Sequence, residues 1–187
     1  MAKGERHMFV LKRLRRRRSG QPSRWLAGFL VVTTVLAGAV LGATAPATAG
    51  YVGHNMLRNW ASGRCLDSNA AGDVYSLPCQ FGNRYQLWEP RLVARSGYDV
   101  VTLWNVQTGR CLHQGKWWPN LQRGSLLTSS NVGDCNFMGR WEAQGSSWTV
   151  VRFQEYYYDT CIGSNNSRDV YYIGCNSTGY QKWRLGY

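Results

Sequence analysis

Beyond residue 50 the side chains able to do covalent or acid–base chemistry are few: six cysteines, two histidines (His54 and His113) and nine acids. No cysteine pair has the close C-x-x-C type of spacing that structural zinc prefers, so the cysteines read as disulfides rather than as a metal site. His54 and His113 belong to no nucleophile or metal pattern, and His113, beside Cys111, reads as a solvated surface side chain. The acids are isolated, with no pair placed for general acid/base work. The expectation is a non-catalytic protein with no cofactor and no metal. What remains is recognition chemistry, carried by tyrosines and tryptophans whose rings offer a stacking face and whose polar tips offer hydrogen bonds.

The elements that must position these residues recur along the chain. Cys65-Leu66-Asp67-Ser68-Asn69 is followed by Asp73-Val74-Tyr75 and Cys79. Cys161-Ile162-Gly163-Ser164-Asn165 is followed, without a gap in the alignment, by Asp169-Val170-Tyr171 and Cys175. Both segments run on to Tyr-Gln-x-Trp, ending at Trp88 and Trp183. A divergent middle copy matches the first through Leu103-x-Asn105-x-x-Thr108-Gly109-Arg110-Cys111, then continues through Cys135 to Trp141, with Gly139 in place of the glutamine. Its stretch between cysteines is ten residues longer and carries Lys116-Trp117-Trp118-Pro119. The phase of the repeat selects within-copy disulfides: Cys65–Cys79, Cys111–Cys135 and Cys161–Cys175.

Val74-Tyr75, Leu126-Leu127 and Val170 to Ile173 are β-prone runs bounded by Gly, Asn, Asp or Pro. No segment after residue 50 has an apolar 3.6 period long enough for a stable helix. Three all-β units of this length cannot each bury a core and must share one. The expected class is therefore all-β, and the architecture is a β-trefoil, a short barrel closed by a triangular cap. The copies span about residues 55–98, 99–148 and 149–187.

The net charge of +12 belongs mostly to residues 1–49, which hold nine Lys or Arg and one acid. There, Lys12, Arg13 and Arg15 to Arg18 precede an uncharged apolar run at 25–42 and the small-x-small pattern Ala47-Thr48-Ala49. That order is the pattern of a cleaved signal peptide ending at residue 49, so the mature chain is expected to start near Gly50, exported and without a stable membrane anchor. Residues 50–187 are only mildly basic, and their arginines are scattered rather than gathered into a stripe, which argues against nucleic acid as a partner.

Three copies of C-[LI]-x, each with a second cysteine after an extended strand, and a closing Gln-x-Trp resemble the ricin-B-type lectin β-trefoil over residues 55–187. Standalone secreted trefoils with this strand motif resemble those exported by actinobacteria. The resemblance implies that Trp88, Trp141 and Trp183 are shared core residues and that Gln86 and Gln181 brace neighbouring backbone. It also implies a sugar pocket per copy, made of an Asp two residues after the first cysteine, an aromatic two residues before the second, and an Asn before the Gln. The first copy keeps Asp67 but has Leu77 and Tyr85 at the other positions. The second has His113 and Gly133 at the first two positions, and the third Gly163, Ile173 and Tyr180, so neither keeps the carboxylate.

Because strand side chains alternate faces, Tyr75 shares a side with Leu77, and Tyr171 with Ile173. The resemblance places Tyr85 and Tyr180 nearby, and together with it the carbohydrate-binding candidates are Asp67, Tyr75, Tyr85 with the adjacent Gln86, Tyr171 and Tyr180. Trp117 and Trp118 form a possible contact loop, since two adjacent tryptophans before a proline are hard to bury together. The function expected is binding of a cell-wall or plant polysaccharide, the alternative being a trefoil scaffold for a protein partner such as a protease or toxin.

Overall fold

The computed structural model describes residues 53–186, and the expectations for the leader lie outside the described residues. The strands, in chain order, are β1 (Asn55–Asn59), β2 (Cys65–Ser68), β3 (Val74–Leu77), β4 (Leu87–Arg95), β5 (Asp99–Asn105), β6 (Cys111–Trp118), β7 (Arg123–Ser129), β8 (Trp141–Ser147), β9 (Val150–Glu155), β10 (Thr160–Ser164), β11 (Val170–Gly174) and β12 (Trp183–Leu185). Six of them close a ring by antiparallel pairing, in the order β1, β4, β5, β8, β9, β12 and back to β1. The hairpins β2–β3, β6–β7 and β10–β11 form the cap. They meet one another through the β11–β7 pairing and the bridges Tyr75 to Asp169 and Asp73 to Leu127. A six-stranded barrel under three abutting hairpins is a β-trefoil.

The core explains why the segments need one another. Leu57, Leu66, Leu103, Leu112, Phe153 and Ile162 pack with Trp88, Trp141 and Trp183 into one buried cluster drawn from all three segments. Each of the three indoles is fully buried, which would leave its N–H without water. Each finds a backbone carbonyl instead: Trp88 Nε1 donates to Leu66 O at 3.0 Å, Trp141 Nε1 to Leu112 O at 3.3 Å and Trp183 Nε1 to Ile162 O at 3.0 Å. The Gln-x-Trp tryptophans thus fasten barrel strands to cap strands.

The turns of the barrel are held by buried amide side chains. Asn59 Oδ1 accepts from the N–H groups of Ala61 and Ser62, and Asn105 Oδ1 from those of Gln107 and Thr108. Their amide nitrogens reach across to Tyr180 O and Tyr85 O, joining segments remote in sequence. The third position is Glu155, whose Oε2 accepts from the N–H groups of Tyr157 and Tyr158, both at 2.7 Å.

The disulfides are Cys65–Cys79, Cys111–Cys135 and Cys161–Cys175, the pairs selected by the phase of the repeat. One element departs from the all-strand expectation. Val132–Met138 forms a short helix, α1, capped by Asn131, whose side chain accepts from Gly133 N. A seven-residue helix lacks the length for a 3.6 period to stand out, and its stability comes from the cap and the Cys111–Cys135 bridge rather than from propensity. Among the described residues no helix is long and apolar enough to cross a membrane.

Candidate functional site

Where the three cap hairpins abut, they leave a cavity of about 420 Å³, inside the range of roughly 300–1,000 Å³ usual for small-ligand sites. Tyr75 of β3, Trp118 of β6, Arg123 and Ser125 of β7, Arg168 before β11 and Tyr171 of β11 line it. All three segments therefore contribute to one site. The rings are the result of strand alternation. In β11, Tyr171 is half-buried and faces the cavity, while its neighbour Tyr172 turns inward, is buried, and donates its hydroxyl to Gly115 O at 3.3 Å. Ser76 holds the equivalent inward place beside Tyr75 and is fully buried.

The candidate residues separate into two groups. Asp67 and Gln86 are both closed off, with Asp67 2% and Gln86 0% exposed. Gln86 Nε2 donates to Asp67 Oδ2 at 2.9 Å and to Pro78 O at 3.1 Å, and its Oε1 accepts from Gln80 N at 2.8 Å. Every polar atom of that glutamine is engaged, so Gln86 is a brace and not a ligand contact. The expectation that Asp67 reaches a sugar is corrected on the same ground, because its carboxylate faces protein rather than solvent. Burial pushes its pKa up, against the opposing hydrogen bonds from Gln86 and Ser68 and the charge of Arg168.

Tyr75 and Tyr171 form the second group and both line the cavity. Burial raises the pKa of each phenol, with the Asp67 carboxylate adding to the effect at Tyr75. Both rings therefore stay neutral at physiological pH, able to stack and to donate. Tyr85 lies close enough to Tyr75 to affect its titration, and Tyr180 likewise to Tyr171, but neither lines the cavity. Trp118 lines it, while Trp117, 40% exposed, packs against Tyr172 with ring centroids 5.5 Å apart. Sequence reasoning missed Arg123, Ser125 and Arg168. The signal for Arg168 was present, since the gapless alignment places it opposite Gly72.

No family model matches the chain, and no curated protein matches it. Solved structures do. The Rhizoctonia solani agglutinin is similar with a TM-score of 0.60 and 19% identity, over 75% of this chain and 98% of that one. A ricin B-like lectin of Macrolepiota procera, in complex with lactose, gives a TM-score of 0.55 at 12% identity, over 71% of this chain and 93% of that one. The chain has the β-trefoil fold that these structures share. An exo-beta-1,3-galactanase of Clostridium thermocellum is similar over 73% of this chain and 30% of that larger one, with a TM-score of 0.59 and 17% identity.

In the second and third copies, glycines stand at positions where the structure leaves no room for a side chain. In the third, a Cβ at Gly163 would come within 2.8 Å of the Tyr171 ring, so the carboxylate position is occupied by that ring. In the second, a Cβ at Gly139 would lie 2.8 Å from Leu112 O and 3.0 Å from Cys135 O, where the backbone of α1 takes the space of the glutamine brace. His113 is not the solvated side chain expected. It is 8% exposed, with Nδ1 2.7 Å from Gln114 O, because β6 directs it toward the protein and not along the hairpin surface.

The two buried carboxylates give the trefoil a defined pH response. Burial raises the pKa of Glu155, against its two backbone hydrogen bonds, as it does that of Asp67. Unfolded Asp and Glu titrate near about 3.9 and 4.3, so the folded chain keeps these protons to higher pH. Their stabilising contribution is complete below about pH 4 and is lost as pH rises through the elevated folded values. Glu155→Gln and Asp67→Asn are expected to become more stable relative to wild type on going from about pH 4 to about pH 7. Urea unfolding at both pH values measures this, and a wild-type-to-variant difference independent of pH would contradict it.

Proposed function

We propose that the protein is a non-catalytic, exported carbohydrate-binding β-trefoil acting on cell-wall or plant polysaccharide, with residues 1–49 removed as a leader. The observation that carries this reading is the cavity among the three hairpins, where Tyr75, Trp118 and Tyr171 stand among hydroxyl and charged side chains. Aromatic faces suit the apolar C–H surface of a pyranose, and the polar groups between them suit its hydroxyls. The fold shared with a ricin B-like lectin solved with lactose supports the same class of ligand.

A glycan array on the protein, followed by calorimetry on the best ligand, tests the reading. Tyr75→Ala and Trp118→Ala remove rings that are half-buried and lie outside the core cluster. Burying such a ring against a sugar is worth roughly 1.5–3 kcal/mol, so each variant is expected to bind about 10- to 100-fold more weakly. Each should melt close to wild type. Wild-type affinity in both would remove the cavity as the site.

A protein partner is the second reading, and one surface favours it. Phe137 and Tyr157 are 66% and 51% exposed, and their rings lie 6.1 Å apart. Exposed apolar side chains in one group mark contact surfaces more often than scattered ones do. An empty array together with partner capture that depends on Phe137 would favour this surface over the cavity.

A further inference from the structure

Two residues other than glycine have positive φ among the described residues, and both adjoin the cavity. Gln122, at φ +49°, ends the turn that delivers Arg123, and Arg168 itself sits at φ +80°. The position of Arg168 has a physical explanation for its backbone. Its carbonyl accepts from Ser76 N at 2.8 Å, as the carbonyl of Gly72 accepts from Thr128 N at 2.8 Å. These bonds lock one hairpin to the next. In the first copy the residue is glycine, at φ +101°, where the turn is free of Cβ strain. The third copy makes the same bond with a side chain present, in a region that L residues rarely adopt. Glycine would satisfy the fold, so the arginine adds something that the fold does not require.

What it adds is a cation on the cavity wall, whose charge also acts on the buried Asp67 and on Tyr75. The Arg168 guanidinium lies over the Tyr75 ring, 5.8 Å from its centroid, and hydrogen-bonds to no other described residue. Arg123 lies over the Tyr171 ring at 5.6 Å. The acids nearby are differently engaged: Asp169 lies 4.0 Å from Arg123 and accepts from Asn165 Nδ2 at 3.0 Å, while Asp67 is buried against Gln86. The cavity therefore combines aromatic faces, the side chain of Ser167, and a guanidinium able to form paired hydrogen bonds with a planar or tetrahedral anion, while the Ser125 hydroxyl is engaged by the Lys116 backbone.

We propose that the cavity selects acidic saccharides, with the carboxylate or sulfate of the sugar held by Arg168 beside Arg123 and its ring held against Tyr75 and Trp118. The proposal rests on the carbohydrate reading and names the ligand class of the same site.

Calorimetry with an oligogalacturonate, a sulfated galactan and a neutral galactan oligosaccharide tests it on wild type, Arg168→Gly, Arg168→Gln and Arg168→Lys. Wild type is expected to bind at least one acidic ligand about 10-fold or more tightly than the neutral one, with affinity falling as salt rises. The two acidic ligands separate carboxylate from sulfate as the anion. Arg168→Gly and Arg168→Gln should lose that preference, and Arg168→Lys should keep part of it. Arg168→Gly should also melt at or above the wild-type temperature, because it relieves the strained backbone, which separates loss of binding from loss of fold. Equal affinity of wild type for acidic and neutral ligands, or an acidic preference that survives in Arg168→Gly, would overturn the proposal while leaving carbohydrate binding intact. Binding to none of the three, with an empty array, would overturn both.

Discussion

Trp183→Ala is expected to lower the unfolding free energy by about 3–5 kcal/mol, the range for removing a fully buried aromatic side chain. Trp183 is 0% exposed and belongs to the core cluster that all three segments share. Its strand, β12, closes the barrel, pairing Trp183 with Asn59 on one side and Val151 on the other. Truncation opens a cavity at that seam and leaves Ile162 O without its donor. Small domains hold only about 5–15 kcal/mol in total, so the variant should be marginal at ambient temperature. Trp183→Phe separates the two contributions, since it keeps an aromatic ring but loses the N–H. A cost of about 1–3 kcal/mol, the penalty for an unpaired buried polar group, is expected for it. Trp88→Ala and Trp141→Ala should fall in the same range as Trp183→Ala, because each indole makes the matching bond to a cap strand. Denaturant unfolding gives these values, and a loss under about 1 kcal/mol for Trp183→Ala would show that the ring does not anchor the core.

Removing the third disulfide, by Cys161→Ala with Cys175→Ala, is expected to cost about 2–5 kcal/mol. The bridge closes a loop with a sequence separation of 14, as does Cys65–Cys79, while Cys111–Cys135 spans 24. Loop-closure entropy grows slowly with length, by about 0.6 kcal/mol per doubling, so the three removals should differ little on that account. The middle bridge carries an additional load, since it ties α1 to β6, and its removal frees a helix too short to persist alone. Its loss should therefore be seen in amide exchange of 132–138 as well as in global stability. Peptide mapping without reduction should recover the three within-copy pairs from wild type. A double variant with the stability of wild type would mean that the hairpins hold their geometry without the crosslinks.

Arg168 shows how far a sequence comparison reaches. Aligning the first and third copies places an arginine opposite Gly72, and this is visible without coordinates. That the arginine sits at positive φ follows only once Ser76 N is known to need the Arg168 carbonyl, a bond between hairpins 92 residues apart. Asp67 shows the opposite limit. Its offset from Cys65 suggests a ligand contact, yet whether a carboxylate faces solvent depends on what packs above it, and here Gln86 and burial close it in.

The residues that repeat, namely the paired cysteines, the Gln-x-Trp tryptophans and the β-prone runs at Val74, Leu126 and Val170, were determined by the sequence itself. Each is a local pattern whose meaning survives in any copy. The closed barrel follows from them because no single copy can bury its own apolar face. The burial of His113, the helix at Val132–Met138 and the cavity were decided only in the tertiary structure. The cavity is the clearest case, since Tyr75, Trp118 and Arg168 come from different copies. Their meeting depends on how three hairpins abut around one axis, which is a property of their mutual packing and of no one segment's pattern.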